Sequence, residues 1–490
     1  MSDEVDVSEA EEDAAIRAEV NAWLDEHWDP DLPVEEWWRM VGDAGWTVPH
    51  FTPEQGGRGL PRRAFLMVRS LFHARGALRP PGGLGLLMAA PTILTQGTPD
   101  QVERFVTPIL RGEVGWCQLF SEPGAGSDLA GLATRARRDG DHWVITGQKV
   151  WSSEAHKSDY GMLLARTDPD VPKHAGISWF AFKLDQPGVT IRPLREMTGH
   201  AVFNEVFIDE AVCPVDDLVG GEGNGWAVCQ TTLFFERTGI GAGGGHAGFP
   251  YPGPKGGMLG RRAGDAALDV ADSSSLMVSL PELLDLVRRT GRGNDPVIRQ
   301  KLARLVSFAE TGKWNALRAK AEVERGGGQS ITSIGKIAQT RIVKLTGEIA
   351  MDVLGAGGTL AGADGLGDGH YAEAFVFSPA SSIYGGADEI QRNIISERTL
   401  GLPRDERPDK GLSWAEAQPE RVRGAGPPGF DPGLWAQLGE MGVVAMAVPE
   451  AVGGWGASAL DLALVAEQHG RAVAPAPLIE TQAAARLLAG

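Results

Sequence analysis

CQLFSEPGAGSD, Cys117–Asp128, is the stretch on which the fold turns. Gly124, Ala125 and Gly126 leave a backbone that a ligand can approach closely, with N–H groups exposed. Gln118, Ser121 and Ser127 add hydrogen-bonding side chains around it. A lone Gly-x-Gly turn is usually only a turn; the whole run is far more restrictive. It also stands where the character of the chain changes. Upstream, over residues 12–110, apolar positions recur at three- and four-residue steps (Ile16, Val20, Trp23, Leu24; Leu66, Val68, Leu71, Phe72), which reads as helix. Downstream, to about residue 220, short β-rich runs follow: Ala133–Arg138 and His142–Trp151 around the hairpin signal Asp139-Gly140-Asp141, then Gly161–Arg166, Ile177–Leu184, Val189–Pro193 and Asn204–Ile208.

Helical periodicity returns at Trp226–Ile240, Val297–Glu324, Thr332–Leu354 and Asp388–Leu400. The Gly/Pro-rich segment 241–275 between the first two reads as a mobile loop. Residues 403–430, polar and rich in Pro, Gly and Arg, read as a linker. After it the chain repeats itself. A shift of 397 positions aligns Trp38, Gly42 and Gly45 with Trp435, Gly439 and Gly442, and Gly56, Gly57 and Gly59 with Gly453, Gly454 and Gly456. Glycines matching in register indicate the same turns used twice. The organisation expected is a helical N-terminal domain (1–115), a central β domain (116–225), a C-terminal helical bundle (226–402), the linker, and a partial second N-terminal domain (431–490). The fold class is α+β, mainly α.

Bulk properties narrow the function. The 490 residues, 42% hydrophobic and 22% charged, suit a globular protein with a sizeable core. The net charge of −18 disfavours nucleic acid, because an acidic surface repels phosphate backbones. Cys117, Cys213 and Cys229 lack metal-ligand or redox spacing, so reduced thiols and no metal site are expected. The acidic N-terminus carries no apolar signal core, and no apolar run approaches the ~20 residues needed to span a bilayer. No membrane insertion and a cytoplasmic location are therefore expected.

Three separated segments, in order, resemble the acyl-CoA dehydrogenase family, and the resemblance spans nearly all of residues 12–402. The first is CQLFSEPGAGSD itself. The resemblance implies that Gln118, Leu119, Ser121, Gly126 and Ser127 lie against flavin adenine dinucleotide, with Ser127 also at the start of the acyl-CoA site. The second is KVWSS, Lys149–Ser153, where Trp151 and Ser153 would flank the isoalloxazine ring. The third is IYGGADEIQRNIISERTLGLPR, Ile383–Arg404, where Ala387, Asp388 and Glu389 would contact flavin. A fourth motif, MDVLGAGGTL (Met351–Leu360), resembles a helix-ending turn whose Gly355 and Ala356 would reach the flavin of a neighbouring subunit. Arg289 or Arg292 would reach its pyrophosphate. By resemblance the fold ends in a four-helix bundle, the protein is a dimer or tetramer, and electrons pass to electron-transfer flavoprotein.

One departure bears on chemistry. The commonest family pattern is Tyr-Glu-Gly, with Glu as the catalytic base; this chain has Tyr384-Gly385-Gly386. Some members, the isovaleryl- and long-chain-type enzymes, take the base from an earlier helix instead, as the Glu of a Glu-Arg pair. Glu236-Arg237, after Leu233, Phe234 and Phe235, fits that arrangement. The α-hydrogen of a thioester is weakly acidic, so a carboxylate must reach it, and a dry pocket raises that carboxylate's pKa toward its task. Glu236 is thus the expected base, with Arg237, Phe234 and Tyr384 near substrate; the resemblance implies that a flavin ribityl hydroxyl and a backbone N–H, here that of Gly385, donate to the thioester oxygen. The hydride would pass to flavin N5. Two alternatives remain at this point: a flavin oxidase or hydroxylase on the same fold, and a non-catalytic partner subunit of a hetero-oligomeric dehydrogenase. The acyl group is not legible, although the glycine-rich insertion and tandem arrangement resemble actinobacterial members of the family, some of which handle bulky branched or steroid side-chain thioesters.

Overall fold

A computed structural model describes residues 2–241, 251–272, 277–325, 332–360, 362–404, 409, 411–417, 432–440, 446, 448 and 457. The chain divides into two compact units, Met1–Asp168 with His174–Glu406, and Pro169–Lys173 with Arg407–Gly490.

The first unit opens with helices α1 (Ser2–His27), α2 (Val34–Asp43) and α3 (Ala64–Ala74). Their apolar stripes meet: Ile16, Val20 and Leu24 at four-residue steps, then Val34, Trp37, Trp38 and Val41, then Ala64, Val68 and Phe72. Burial of each large side chain contributes about 1.5–3 kcal/mol. Both α2 indoles also find acceptors, Trp37 Nε1 donating to Leu78 O at 2.8 Å and Trp38 Nε1 to Arg79 O at 3.1 Å. Helices α4 (Ala90–Gln96), α5 (Pro99–Gln101) and α6 (Thr107–Leu110) complete this layer.

The central domain is an eight-stranded sheet. Strands β1 (Trp116–Leu119), β2 (Arg135–Asp139), β3 (His142–Lys149), β4 (Tyr160–Arg166), β5 (Ile177–Lys183), β6 (Val189–Pro193), β7 (Asn204–Pro214) and β8 (Leu218–Val219) take the order β6-β7-β3-β2-β4-β5-β8, with β1 parallel to β4. The hairpin expected at Asp139-Gly140-Asp141 forms, Asp139 pairing with His142 across a turn in which Gly140 has φ +64°. Strands β4 and β5 are buried on both faces, which is why they read as continuous apolar runs.

Helix α7 (Gly225–Gly241) leads into the C-terminal region, which holds α8 (Ala263–Asp272), α9 (Leu280–Arg289), α10 (Pro296–Glu324), α11 (Thr332–Leu354), α12 (His370–Phe377) and α13 (Asp388–Ile394). The bundle is organised around α11, which packs on α7, α9, α10, α12 and α13. Its core joins Leu283, Leu286, Ile298, Leu305, Ile349, Ala350 and Val353. Helix α9 is unassigned by the periodicity reading, although Ser279 and Glu282 form a capping box at its start.

The mobile-loop reading of 241–275 needs correction. Residues 242–250 and 273–276 lie outside the described residues, but 251–272 are a strap packed on the N-terminal helices. Val34 N donates to Arg261 O (2.9 Å) and Ala263 N to Leu32 O (2.8 Å). Ala263 and Ala266 are fully buried in the N-terminal core. Small residues make this possible: a Cβ on Gly264 would come 2.7 Å from Pro30 Cβ. Glycine here allows close approach rather than motion.

In the second unit, Pro172 pairs with Ser413, and Trp414 N donates to Val171 O at 2.8 Å. Its helix Pro432–Glu440 occupies the positions that the 397-residue shift assigns to the counterpart of α2. The repeated Gly442, Gly453, Gly454 and Gly456 lie outside the described residues. Among the described residues no helix is long and apolar enough to cross a membrane.

Candidate active site

The first two signatures form one wall. Strand β1 carries the half-buried Gln118 and fully buried Leu119 to the turn at Glu122–Ala125, closed by reciprocal backbone bonds of 3.0 Å. Within it Gly124, and beyond it Gly126 and Ser127, are exposed, and a Cβ placed on either glycine would meet nothing within 4 Å. The second segment is bound directly to the first, Val150 N donating to Ser121 O at 2.9 Å. Strand β3 ends at Lys149, two residues before the expected Trp151, because Trp151 takes a left-handed φ of +59°. Such a backbone is uncommon for a bulky residue and marks sites held by their surroundings. The Trp151 ring is 60% exposed, edge-on to Phe203 at 5.8 Å, so an open indole surface stands beside the open glycine backbone. Ser153 is half-buried at the same turn.

Behind this wall lies a pair that pattern reading missed. Lys149 is fully buried, and its Nζ sits 2.8 Å from Glu122 Oε1 and 3.1 Å from Phe120 O. The Glu122 carboxylate also accepts from Ala133 N (2.6 Å) and Thr134 N (2.9 Å). Burial alone would raise the Glu122 pKa; the Lys149 ammonium and these N–H donors outweigh it and hold the carboxyl below its usual value. Burial lowers the Lys149 pKa, against the pull of Glu122. The signal was in the sequence: Trp143, Ile145 and Lys149 fall on one face of β3, so strict alternation directs a lysine inward.

The third signature lies on the helical side. Tyr384 is half-buried, and Gly385 and Gly386 follow with φ of +64° and +87°. Asp388 is turned into the bundle, 2.8 Å from Lys336 Nζ and 3.2 Å from Thr340 Oγ1, so its carboxylate is engaged by α11. Ala387 is half-buried and Glu389 exposed. Gly355, at φ +56°, ends α11 in an exposed 3-10 turn with Ala356. Asp352 pairs with Lys301, Arg289 with Asp285 and the Tyr371 hydroxyl, and Arg292 with Asp295.

Helix α7 carries Phe234 and Glu236, both half-buried; the Arg237 side chain lies outside the described residues. Phe234 and Phe235 rings stand 5.2 Å apart. One turn before Glu236, Thr232 is fully buried, accepts from Thr92 Oγ1 at 3.1 Å and donates to Val228 O at 3.0 Å. Gln96 Nε2 donates to Thr231 Oγ1 at 2.9 Å. These bonds fasten α7 to α4. Glu236 follows Thr232 and Leu233 by four and three residues, on the side of α7 that packs inward.

Comparison with known proteins agrees with this layout. Models of the acyl-CoA dehydrogenase N-terminal domain match residues 10–113 and 416–489, of the middle domain 117–210, and of the C-terminal domain 274–400. The acyl-CoA dehydrogenase IpdE1 of Mycobacterium tuberculosis is 38% identical over 382 residues, 75% of this chain and 88% of that protein. The acyl-CoA dehydrogenase FadE34 of the same organism is 38% identical over 402 residues, 82% of this chain but only 50% of its own length. Among solved structures, the Tcur3481-Tcur3483 steroid ACAD superposes with a TM-score of 0.62 at 25% identity, covering 80% of this chain and 98% of that one. On sequence, domain order and fold alike, the chain belongs to the acyl-CoA dehydrogenase family of enzymes.

Proposed function

We propose that this protein is a flavin-dependent acyl-CoA dehydrogenase in which Glu236 removes the α-proton of an acyl-CoA thioester. The observation that carries the reading is the placement of carboxylates. The turn at 384–386 holds two left-handed glycines and no acid, while a half-buried glutamate lies on the inward side of α7.

The residues of the β wall fit a flavin. Exposed backbone at Gly124 and Gly126 with open space above it, and the exposed Trp151 ring, make a cradle for a flat aromatic group and its phosphates. Gln118, Leu119, Ser121, Ser127, Ser153, Ala387 and Glu389 would complete it, with Gly355 and Ala356 serving a neighbouring subunit in a dimer or tetramer. Bound flavin adenine dinucleotide would supply the acceptor for the hydride that leaves the β-carbon. Glu236 takes the α-proton onto its carboxylate. The Gly385 N–H donates to the thioester oxygen as negative charge builds there, and Phe234 and Tyr384 exclude water. The substrate leaves with a new α,β double bond, and electron-transfer flavoprotein receives the two electrons. The likeness to a structure named a steroid ACAD supports a bulky acyl group.

Anaerobic addition of straight-chain, branched and steroid side-chain acyl-CoAs to the purified protein tests this. At least one should bleach the flavin absorbance; a panel that leaves it unchanged contradicts the reading.

A further inference from the structure

We infer that Gln391 is a positioning residue that fixes the Gly385–Gly386 turn so that the Gly385 N–H is aimed at the thioester oxygen. The inference rests on the dehydrogenase reading above and deepens it.

Gln391 sits one turn into α13, yet it is only 1% exposed. Its Nε2 donates to Gly385 O at 3.0 Å, and its backbone N–H to Ala387 O at 3.0 Å. The side chain therefore folds back over the turn that precedes its own helix. Gly386 is shaped by that arrangement, because a Cβ there would stand 2.5 Å from Gln391 Nε2. The left-handed φ of +87° adds a second reason for glycine. Gly385 is different: a Cβ on it would meet nothing within 4 Å, so its neighbourhood is open on the side-chain side. Among the described residues the Gly385 N–H has no hydrogen-bond partner.

One peptide group is thus held at its carbonyl by a buried amide, while the preceding N–H is left to serve a ligand. A peptide with two flexible left-handed glycines needs such a clamp, because glycine loses more conformational freedom than any other residue on being ordered. The clamp supplies the pre-organisation that an oxyanion donor requires. Gln391 acts through its bond to Gly385 O, as a positioning residue.

The test uses the flavin-loaded protein and acetoacetyl-CoA, whose enolate gives a long-wavelength charge-transfer band with oxidised flavin. The band reports how strongly the thioester oxygen is stabilised and needs no turnover. Gln391→Met removes the donor at similar size, and Gly386→Ala pushes the amide away while leaving Gln391 in place. Both should keep bound flavin and bind acetoacetyl-CoA, yet show about tenfold less enolate at saturation. A full-strength band in both variants overturns the inference, and so does loss of flavin from both, which would make Gln391 a folding residue. If the unmodified protein gives no band and no acyl-CoA bleaches it, the dehydrogenase reading itself falls, and the inference with it.

Discussion

The β wall and the helical side of the site are held together in different proportions of charge and neutral hydrogen bonds. The wall is stiffened from within: a buried ion pair, two carboxylate-to-backbone bonds and the Val150–Ser121 bond lock the first two signatures into one piece. The helical side relies more on hydroxyls and amides, Thr92 with Thr232, Gln96 with Thr231, Thr340 with Ser381 O and Gln391 with Gly385, alongside the Lys336–Asp388 ion pair that ties α13 to α11. On the wall it is a fully buried lysine with its carboxylate that fixes the surface proposed for the flavin. The carboxylate proposed for proton transfer is carried instead on α7, half-buried and one turn after the fully buried Thr232.

Breaking the wall should have the largest effect. Lys149→Met leaves Glu122 buried without its cation, which costs about 3–5 kcal/mol. Urea unfolding should show a loss of that order together with flavin release, and pairing it with Glu122→Gln should restore most of the stability. An unchanged midpoint in the single variant would mean the pair does not hold the wall.

Acid should separate the two regions next. The Glu122 carboxyl is held below its ordinary 4.5 in the folded protein, so its contribution is complete above that value and disappears as pH falls through the lowered one. Flavin retention, followed by fluorescence, should decline on acidification below about 4.5. The decline should be shallower in Glu122→Gln. Equal profiles would remove Glu122 from the account.

The smallest effect belongs to the strap. Tyr251 reaches from it to Ser158 Oγ (2.7 Å) and Trp116 O (3.1 Å), at the root of β1. Tyr251→Phe should cost about 1 kcal/mol of stability and leave turnover within a factor of two. A large fall in turnover would mean that the strap, and not only the ion pair, sets the wall.

How much of this was legible follows the same division. The helix–sheet–helix order, the Gly140 hairpin and the bounds of α11 come directly from periodicity and turn chemistry. The strap was misread because Gly and Pro mark both loops and close packing, and only its neighbours Pro30 and Leu32, far away in sequence, tell the two apart. Lys149 shows in alternation once β3 is trusted as a strand. Gln391 leaves no such trace, since its burial depends on folding back over a turn. The empty position at Gly385 points to Glu236 only through the family resemblance, and a helix pattern alone does not say which side meets substrate.

The central claim is that proton abstraction has passed to α7. Its most direct test is the anaerobic stopped-flow rate of flavin reduction in Glu236→Gln, with an acyl-CoA that reduces the unmodified protein. The account predicts unaltered flavin content and a rate at least ~10²-fold lower. Reduction at the unmodified rate would contradict it.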